Sequence, residues 1–248
     1  MNASQKKKGP LPVPPAARKT HEKIREGLAK VSRSTAQSCL EPEFIRTWKE
    51  ILDLIDHYQK EIVSAAHLTI SCRRGCTEGC GTACCCHWVE DVNSFEAEFI
   101  AEHLKRVFPE KIRPILDQCR RDEETLKKLN NIVEAKLLGF NSRGLLKDAD
   151  AVDLLLASFY RLQIPCPLLD GNICIAYPVR PLTCRMYVSF SNPSQCCPDT
   201  IDKGEVPTYL FDLEEEADAM IDALHFKFMK FENDTGLRSL LPKYLRRL

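Results

Sequence analysis

Long apolar runs are missing from this chain. None of its 248 residues belongs to a stretch approaching the ~18 apolar positions that a membrane span needs, so no membrane association is expected. Net charge is missing too: Lys and Arg total 35, and so do Asp and Glu. A chain built for non-specific nucleic-acid binding carries a basic surplus, so no nucleic-acid partner is expected. Glycine is scarce, at ten residues, and no glycine-rich loop follows a strand. A Rossmann methyltransferase is therefore not expected. His-Glu-x-x-His and Gly-x-Ser-x-Gly are absent as well, which leaves zinc-protease and serine-hydrolase readings without support. The opening MNASQKKKGPLPVPPAARKT has a basic run but no apolar core of a secretory signal. Without export, thiols are expected to stay reduced, as in the cytoplasm.

What is present is an ordinary globular profile, 44% hydrophobic and 28% charged, with 13 cysteines. In a reducing compartment such a count points to metal or catalysis before disulfides. Eleven of the cysteines lie in two segments. The first holds Cys72, Cys76, Cys80, Cys84, Cys85 and Cys86, followed by His87. The second holds Cys166, Cys174, Cys184, Cys196 and Cys197. Gly75, Gly79 and Gly81 argue for a loop rather than a helix in the first segment. Such a loop gathers sulfurs and leaves backbone N–H groups free to donate to them. Soft thiolates select zinc or iron–sulfur clusters. Arg73, Arg74, Arg180 and Arg185 adjoin the cysteines and are candidates to offset thiolate charge, with Arg180 and Arg185 favoured. His87 reads as a loop histidine with ligation as the alternative. The remaining histidines, 21, 57, 67, 103 and 225, show no ligand spacing.

Between and around these segments the periodicity is helical. Residues 16–37 suggest a short helix. Phe44, Trp48, Ile51, Leu52, Ile55, Tyr58 and Ile62 form one stripe of a helix expected to run from Pro42 to about Ile70. Asn93 and Glu96 form a capping-box pattern, opening a helix that stops before Pro109. A long helix is expected from Glu110 to Leu138, closed by Gly139, with a kink or an exposed stretch at Arg120–Thr125. Cys119 falls in register with Ile112, Ile115 and Leu116 and reads as a core thiol, whereas Cys39 receives no role. Asp148 is placed to cap a helix reaching Tyr160. Leu213, Ala217, Met220, Ile221, Leu224 and Phe228 mark another helix, and Leu237 to Arg247 a last one. Seven of the 15 prolines fall within residues 161–209, which read as a loop cage fixed by a cofactor. The acidic stretch Glu205–Thr235 reads as a solvated helix face.

At this point the residues resemble a family. Cys166-Pro167-Leu168-Leu169-Asp170-Gly171, then Cys174-x-x-Tyr177, then Arg180-Pro181-x-x-Cys184-Arg185 is similar to the second half of the YkgJ-type cysteine-cluster proteins. These are zinc- or iron-chelating proteins, distantly like the flagellin lysine N-methylases. The first segment resembles their opening. Carried over residue by residue, the resemblance implies ligation by Cys72, Cys76, Cys85, Cys86, Cys166, Cys174, Cys184 and one of Cys196 or Cys197, with Cys197 favoured. An insertion between Cys76 and Cys85 adds Cys80 and Cys84 to the candidates.

The expected fold is mainly α, a helical domain whose two cysteine-rich loops converge on a metal or iron–sulfur site. The expected division is a basic, proline-rich disordered tail at 1–20, N-terminal helices at 21–71, a cysteine-cluster metal-binding domain at 72–200 and C-terminal helices at 201–248 packing on it. The expected cofactor is an iron–sulfur cluster, with [4Fe–4S] favoured, in a redox or group-transfer role. The alternatives are zinc in a structural interaction module, and metal storage or delivery. A protein partner is compatible with either. No paired carboxylates or activated nucleophile assign a reaction.

Overall fold

The computed structural model describes residues 11, 13–70, 92–141, 158, 162, 164–171, 173–189, 208–213, 215–231 and 236–246. Helices dominate, as the periodicity predicts: α1 (Pro15–Ser32), α2 (Pro42–Ala65), α3 (Ser94–Val107), α4 (Ile112–Asn141), a short α5 (Leu182–Met186), α6 (Glu215–Phe228) and α7 (Leu237–Leu245). Among the described residues no helix is long and apolar enough to cross a membrane.

Helix α1 starts at Pro15, where proline's fixed φ suits the first turn, so residues 15–20 belong to a helix and not to the tail. Its Ala17, Ile24, Leu28 and Val31 face α2. The two helices approach so closely at Gly27 that a Cβ there would meet Ile51 Cγ1 at 2.8 Å. Every residue of the expected α2 stripe is buried. The helix ends five residues before Ile70 because His67 turns left-handed, with φ of 52°. His67 N–H then donates to Ser64 O at 3.1 Å and Leu68 N–H to Val63 O at 2.9 Å. These are the two bonds of a Schellman stop, a backbone event that apolar spacing does not announce.

The Asn93–Glu96 capping box opens α3. This helix has two working faces. Phe95 joins the first core, formed by α1, α2, α5 and α6. Ala97, Ile100, Ala101 and Leu104 join the second, formed with α4, α7 and the Cys166–Ala176 segment. Helix α4 follows a 3₁₀ turn at Pro109–Lys111 and continues through Gly139 to Asn141, about 45 Å at 1.5 Å per residue. Gly139 therefore does not close it. The helix is unbroken across Arg120–Thr125. Arg120 and Arg121 are exposed there, but Asp122 is buried.

The described residues of the proline-rich region include two antiparallel strand pairs. Strands β1 (Leu169–Asp170) and β2 (Ile173–Cys174) pair antiparallel, and so do β3 (Tyr187–Ser189) and β4 (Thr208–Leu210). Gly171, at φ of 60°, supplies the left-handed residue of the first hairpin's tight turn. The helix expected after Asp148 lies outside the described residues.

Candidate metal centre

The hairpin β1–β2 organises the second cysteine segment. Leu169 N–H donates to Cys166 O at 3.0 Å, and Ile175 N–H donates to Leu168 O at 3.0 Å. Leu169 sits opposite Cys174 in the ladder. The Leu168 backbone N–H is close enough to the Cys166 sulfur to stabilise charge on it. A 3₁₀ turn at Tyr177–Val179 and the turn at Arg180-Pro181 then lead into α5, which carries Cys184.

Cys166 is buried, and Cys174 and Cys184 are partly buried against the same apolar cluster. Cys119 of α4 is wholly buried there, as a core thiol should be. It also lies within electrostatic reach of Cys166, as do Cys174 and Arg238. Burial pushes the Cys166 thiol up to about 12, and the neighbouring sulfurs of Cys174 and Cys119 push the same way. Arg238 and the Leu168 N–H oppose this by stabilising negative charge on the sulfur.

Polar contacts from four helices hold this segment in place. From α2, Asp56 binds two arginines: Arg185 Nη1 donates to Oδ2 at 2.6 Å and Arg180 Nη2 to Oδ1 at 3.1 Å. Gln59 Nε2 donates to the Arg185 carbonyl. Arg185 also donates from Nε to Arg180 O at 3.2 Å and from Nη2 to Pro178 O at 3.3 Å. Arg180 stacks over the Tyr177 ring, with its guanidinium carbon 4.2 Å from the centroid. From α3, Glu96 Oε1 accepts the Leu182 N–H at 2.8 Å, while its Oε2 accepts from Asn93 N–H at 3.1 Å. One carboxylate thus caps α3 and the first turn of α5. Also from α3, His103 Nε2 lies 3.2 Å from Ile175 O. Lys111 pairs with Asp170 at 2.7 Å. From α4 and α7, Asp122 and Arg238 form an ion pair at 2.8 Å, and Arg238 Nη2 donates to Pro165 O at 3.4 Å.

Arg180 and Arg185 pair with Asp56, and a third arginine, Arg238, paired with Asp122, lies within electrostatic reach of Cys166. The sequence signal of Arg238 was a charge out of place. Arg238 shares its helix face with Leu241 and Leu245, and Asp122 shares one with Ile115 and Cys119. Two opposite charges, each on an apolar face, call for one another.

Glu96 is 3% exposed, and desolvation raises its pKa above the ordinary carboxylate range despite its donors and Arg185. A raised carboxyl favours folding when protonated. Its contribution is full below the unfolded pKa and is lost as pH rises through the folded one. Urea melts from about pH 4 to 7 should show the wild type losing stability relative to Glu96→Gln as pH rises. A pH-independent difference would refute this.

Cys39, without a role in the sequence, donates to Glu98 Oε2 at 3.3 Å, and Glu98 also pairs with Lys230. Burial raises this thiol above its usual range, and the Glu98 charge raises it further. It belongs to the first core, away from the Cys166 cluster. Among the described residues the histidines show no ligand grouping. His21 Nε2 meets Leu213 O at 2.8 Å, and His225 Nδ1 accepts the Ser94 N–H at 3.1 Å.

Cys72, Cys76, Cys80, Cys84, Cys85, Cys86, Cys196 and Cys197 lie outside the described residues, as do His87, Arg73 and Arg74. So does the expected meeting of the two cysteine segments. Among the described residues, no three Cys, His, Asp or Glu side chains are grouped to hold a metal by themselves. No family model matches the chain, and neither a curated protein nor a solved structure does.

Proposed function

We propose that the chain is a metal-binding cysteine-cluster protein whose site includes Cys166, Cys174 and Cys184. The observation that carries this reading is the grouping of Cys166, Cys174 and Cys184 on one apolar cluster, with Cys174 and the buried guanidinium of Arg238 within electrostatic reach of Cys166. An all-sulfur donor set fits an iron–sulfur cluster, which is the favoured occupant, and N–H donors to sulfur tune such clusters. Cys72, Cys76, Cys80, Cys84, Cys85, Cys86 and Cys197 are the sequence candidates for the remaining ligands. The cluster would supply one-electron chemistry. The chain's own residues orient the thiols, exclude water with Leu168, Ile175 and Leu240, and balance charge. The likeness to YkgJ-type proteins supports the same reading.

A second reading is structural zinc. The hairpin that follows Cys166 and carries Cys174 suits a closed tetrahedral site as well.

Anaerobic purification followed by an absorption spectrum and by iron, zinc and acid-labile sulfide assays separates the two. Iron with matching sulfide is the expected result. Zinc without sulfide establishes the second reading, and a metal-free chain refutes both. Cys166→Ser is expected to lose most of the bound metal, whereas Cys39→Ser, in the other core, keeps it. Equal retention by both variants would remove Cys166 from the site.

A further inference from the structure

We propose that Arg238 is the built-in counter-cation of the cysteine site: α7 carries it, Asp122 aims it, and its guanidinium holds the Pro165–Cys166 turn while offsetting the charge of metal-bound thiolates. The proposal rests on the metal reading above.

The geometry is specific. Arg238 is 1% exposed and Asp122 3% exposed, so neither charge is solvated by bulk water. Arg238 Nε donates to Asp122 Oδ2 at 2.8 Å, and Gln118 Nε2 donates to Asp122 Oδ1 at 2.6 Å. The carboxylate is therefore held from two sides, and it fixes the planar guanidinium. Nη2 then reaches the carbonyl of Pro165, the residue preceding Cys166. Burying an ion pair stabilises a fold weakly or not at all compared with apolar packing of similar volume. An apolar pair would serve α4–α7 packing at least as well, since Leu237, Leu240 and Leu241 already lie buried there. A charge beside the thiols does what leucine cannot. Four thiolates on a divalent ion leave an excess of two negative charges, which a low-dielectric surrounding penalises unless a cation is near. Arginine suits this position because it stays protonated when buried and offers several fixed donors. Arg238 is thus a positioning residue, acting on the metal through the sulfur of Cys166.

The test is Co²⁺ titration of the full chain under reducing conditions, read by sulfur-to-cobalt absorption and by competition with a chelator. Arg238→Met combined with Asp122→Leu replaces the pair by apolar groups and leaves no orphaned charge. This double variant is expected to keep its helical spectrum and to bind Co²⁺ about 10–100-fold more weakly. Asp122→Asn keeps the shape and the arginine but removes the competing carboxylate. Its amide oxygen can still accept from Arg238, and it is expected to bind more tightly than the wild type. Wild-type affinity in the double variant overturns the proposal. Unchanged or weakened binding in Asp122→Asn also overturns it, because the pair would then be a structural prop. Should the double variant not fold, Asp122→Asn alone decides. A wild-type chain that binds no Co²⁺ overturns this proposal, while the iron, zinc and sulfide assays judge the metal reading separately, and equal binding by the wild type and the double variant overturns this proposal alone.

Discussion

Replacing Arg185 with alanine is expected to destabilise the fold by about 3 kcal/mol and to release the second cysteine segment from the helices. Arg185 is 5% exposed and makes three kinds of contact at once. It binds Asp56 Oδ2 and donates to the carbonyls of Arg180 and Pro178. Truncation leaves those carbonyls short of a donor in a buried place, at about 1–3 kcal/mol for a group left unsatisfied. Asp56 keeps Arg180 and is 29% exposed, so its own loss is softened. That places the total at the low end of the range for breaking buried pairs, about 3–5 kcal/mol. Arg185→Lys should recover little, because an ammonium cannot reproduce the guanidinium fork. Urea unfolding measures the stability, and limited chymotrypsin digestion reads the release, with cleavage expected first within residues 164–189, at Leu168, Leu169 or Tyr187. A change below about 0.5 kcal/mol, as for an ordinary surface site, would show that the clamp does not hold the segment.

Phe95→Ala is expected to cost about 3–5 kcal/mol, the largest effect of any single truncation considered. Phe95 is fully buried where α3 meets α2 and α6. Its ring stands edge-on to Trp48 with centroids 4.9 Å apart, and Phe44, Phe99 and Phe228 lie within 6.4 Å. Edge-to-face pairs add about 0.5–1.5 kcal/mol beyond area burial, so the removed ring takes both terms with it. Phe99→Ala serves as the control. It is one turn away and only partly buried, and a clearly smaller loss is expected. Denaturant midpoints for the two variants check the order. Equal losses would mean that burial does not set the ranking. Because Phe95 neighbours Glu96, which caps α5, its loss is also expected to loosen Cys184 before the distant end of α1.

Helix positions were legible because they are encoded locally. The α2 stripe, the α3 capping box and the α6 pattern each need only residues within one or two turns. Where the reading erred, longer or subtler physics intervened. The α2 helix stops at a left-handed His67, a conformation that no residue within the stripe signals. Helix α4 runs past Gly139 because glycine permits a stop without imposing one. Among the described residues of the proline-rich region, β3 pairs with β4 across the intervening residues 190–207, a pairing that no local pattern announces. Among the cysteines, clustering and the resemblance to the YkgJ-type proteins made Cys166, Cys174 and Cys184 candidates alongside those of the first segment. Helical register assigned Cys119 to the core correctly but did not place it beside Cys166.

The sequence by itself determined a helical chain, because burial of apolar stripes at a period of 3.6 is a property of neighbours along the chain. It also determined that sulfur chemistry is the feature to explain. Only the tertiary structure decided which charges serve which groups. Arg185 adjoins Cys184 in sequence and binds Asp56, 129 positions away. Arg238 adjoins no cysteine in sequence yet lies beside Cys166, through Asp122 at 116 positions' separation. An arginine's counter-ion is selected by which carboxylate or sulfur the packed helices bring within a few ångströms, where Coulomb attraction in a low dielectric outweighs desolvation. That distance is set by the fold and leaves no mark on the spacing of residues.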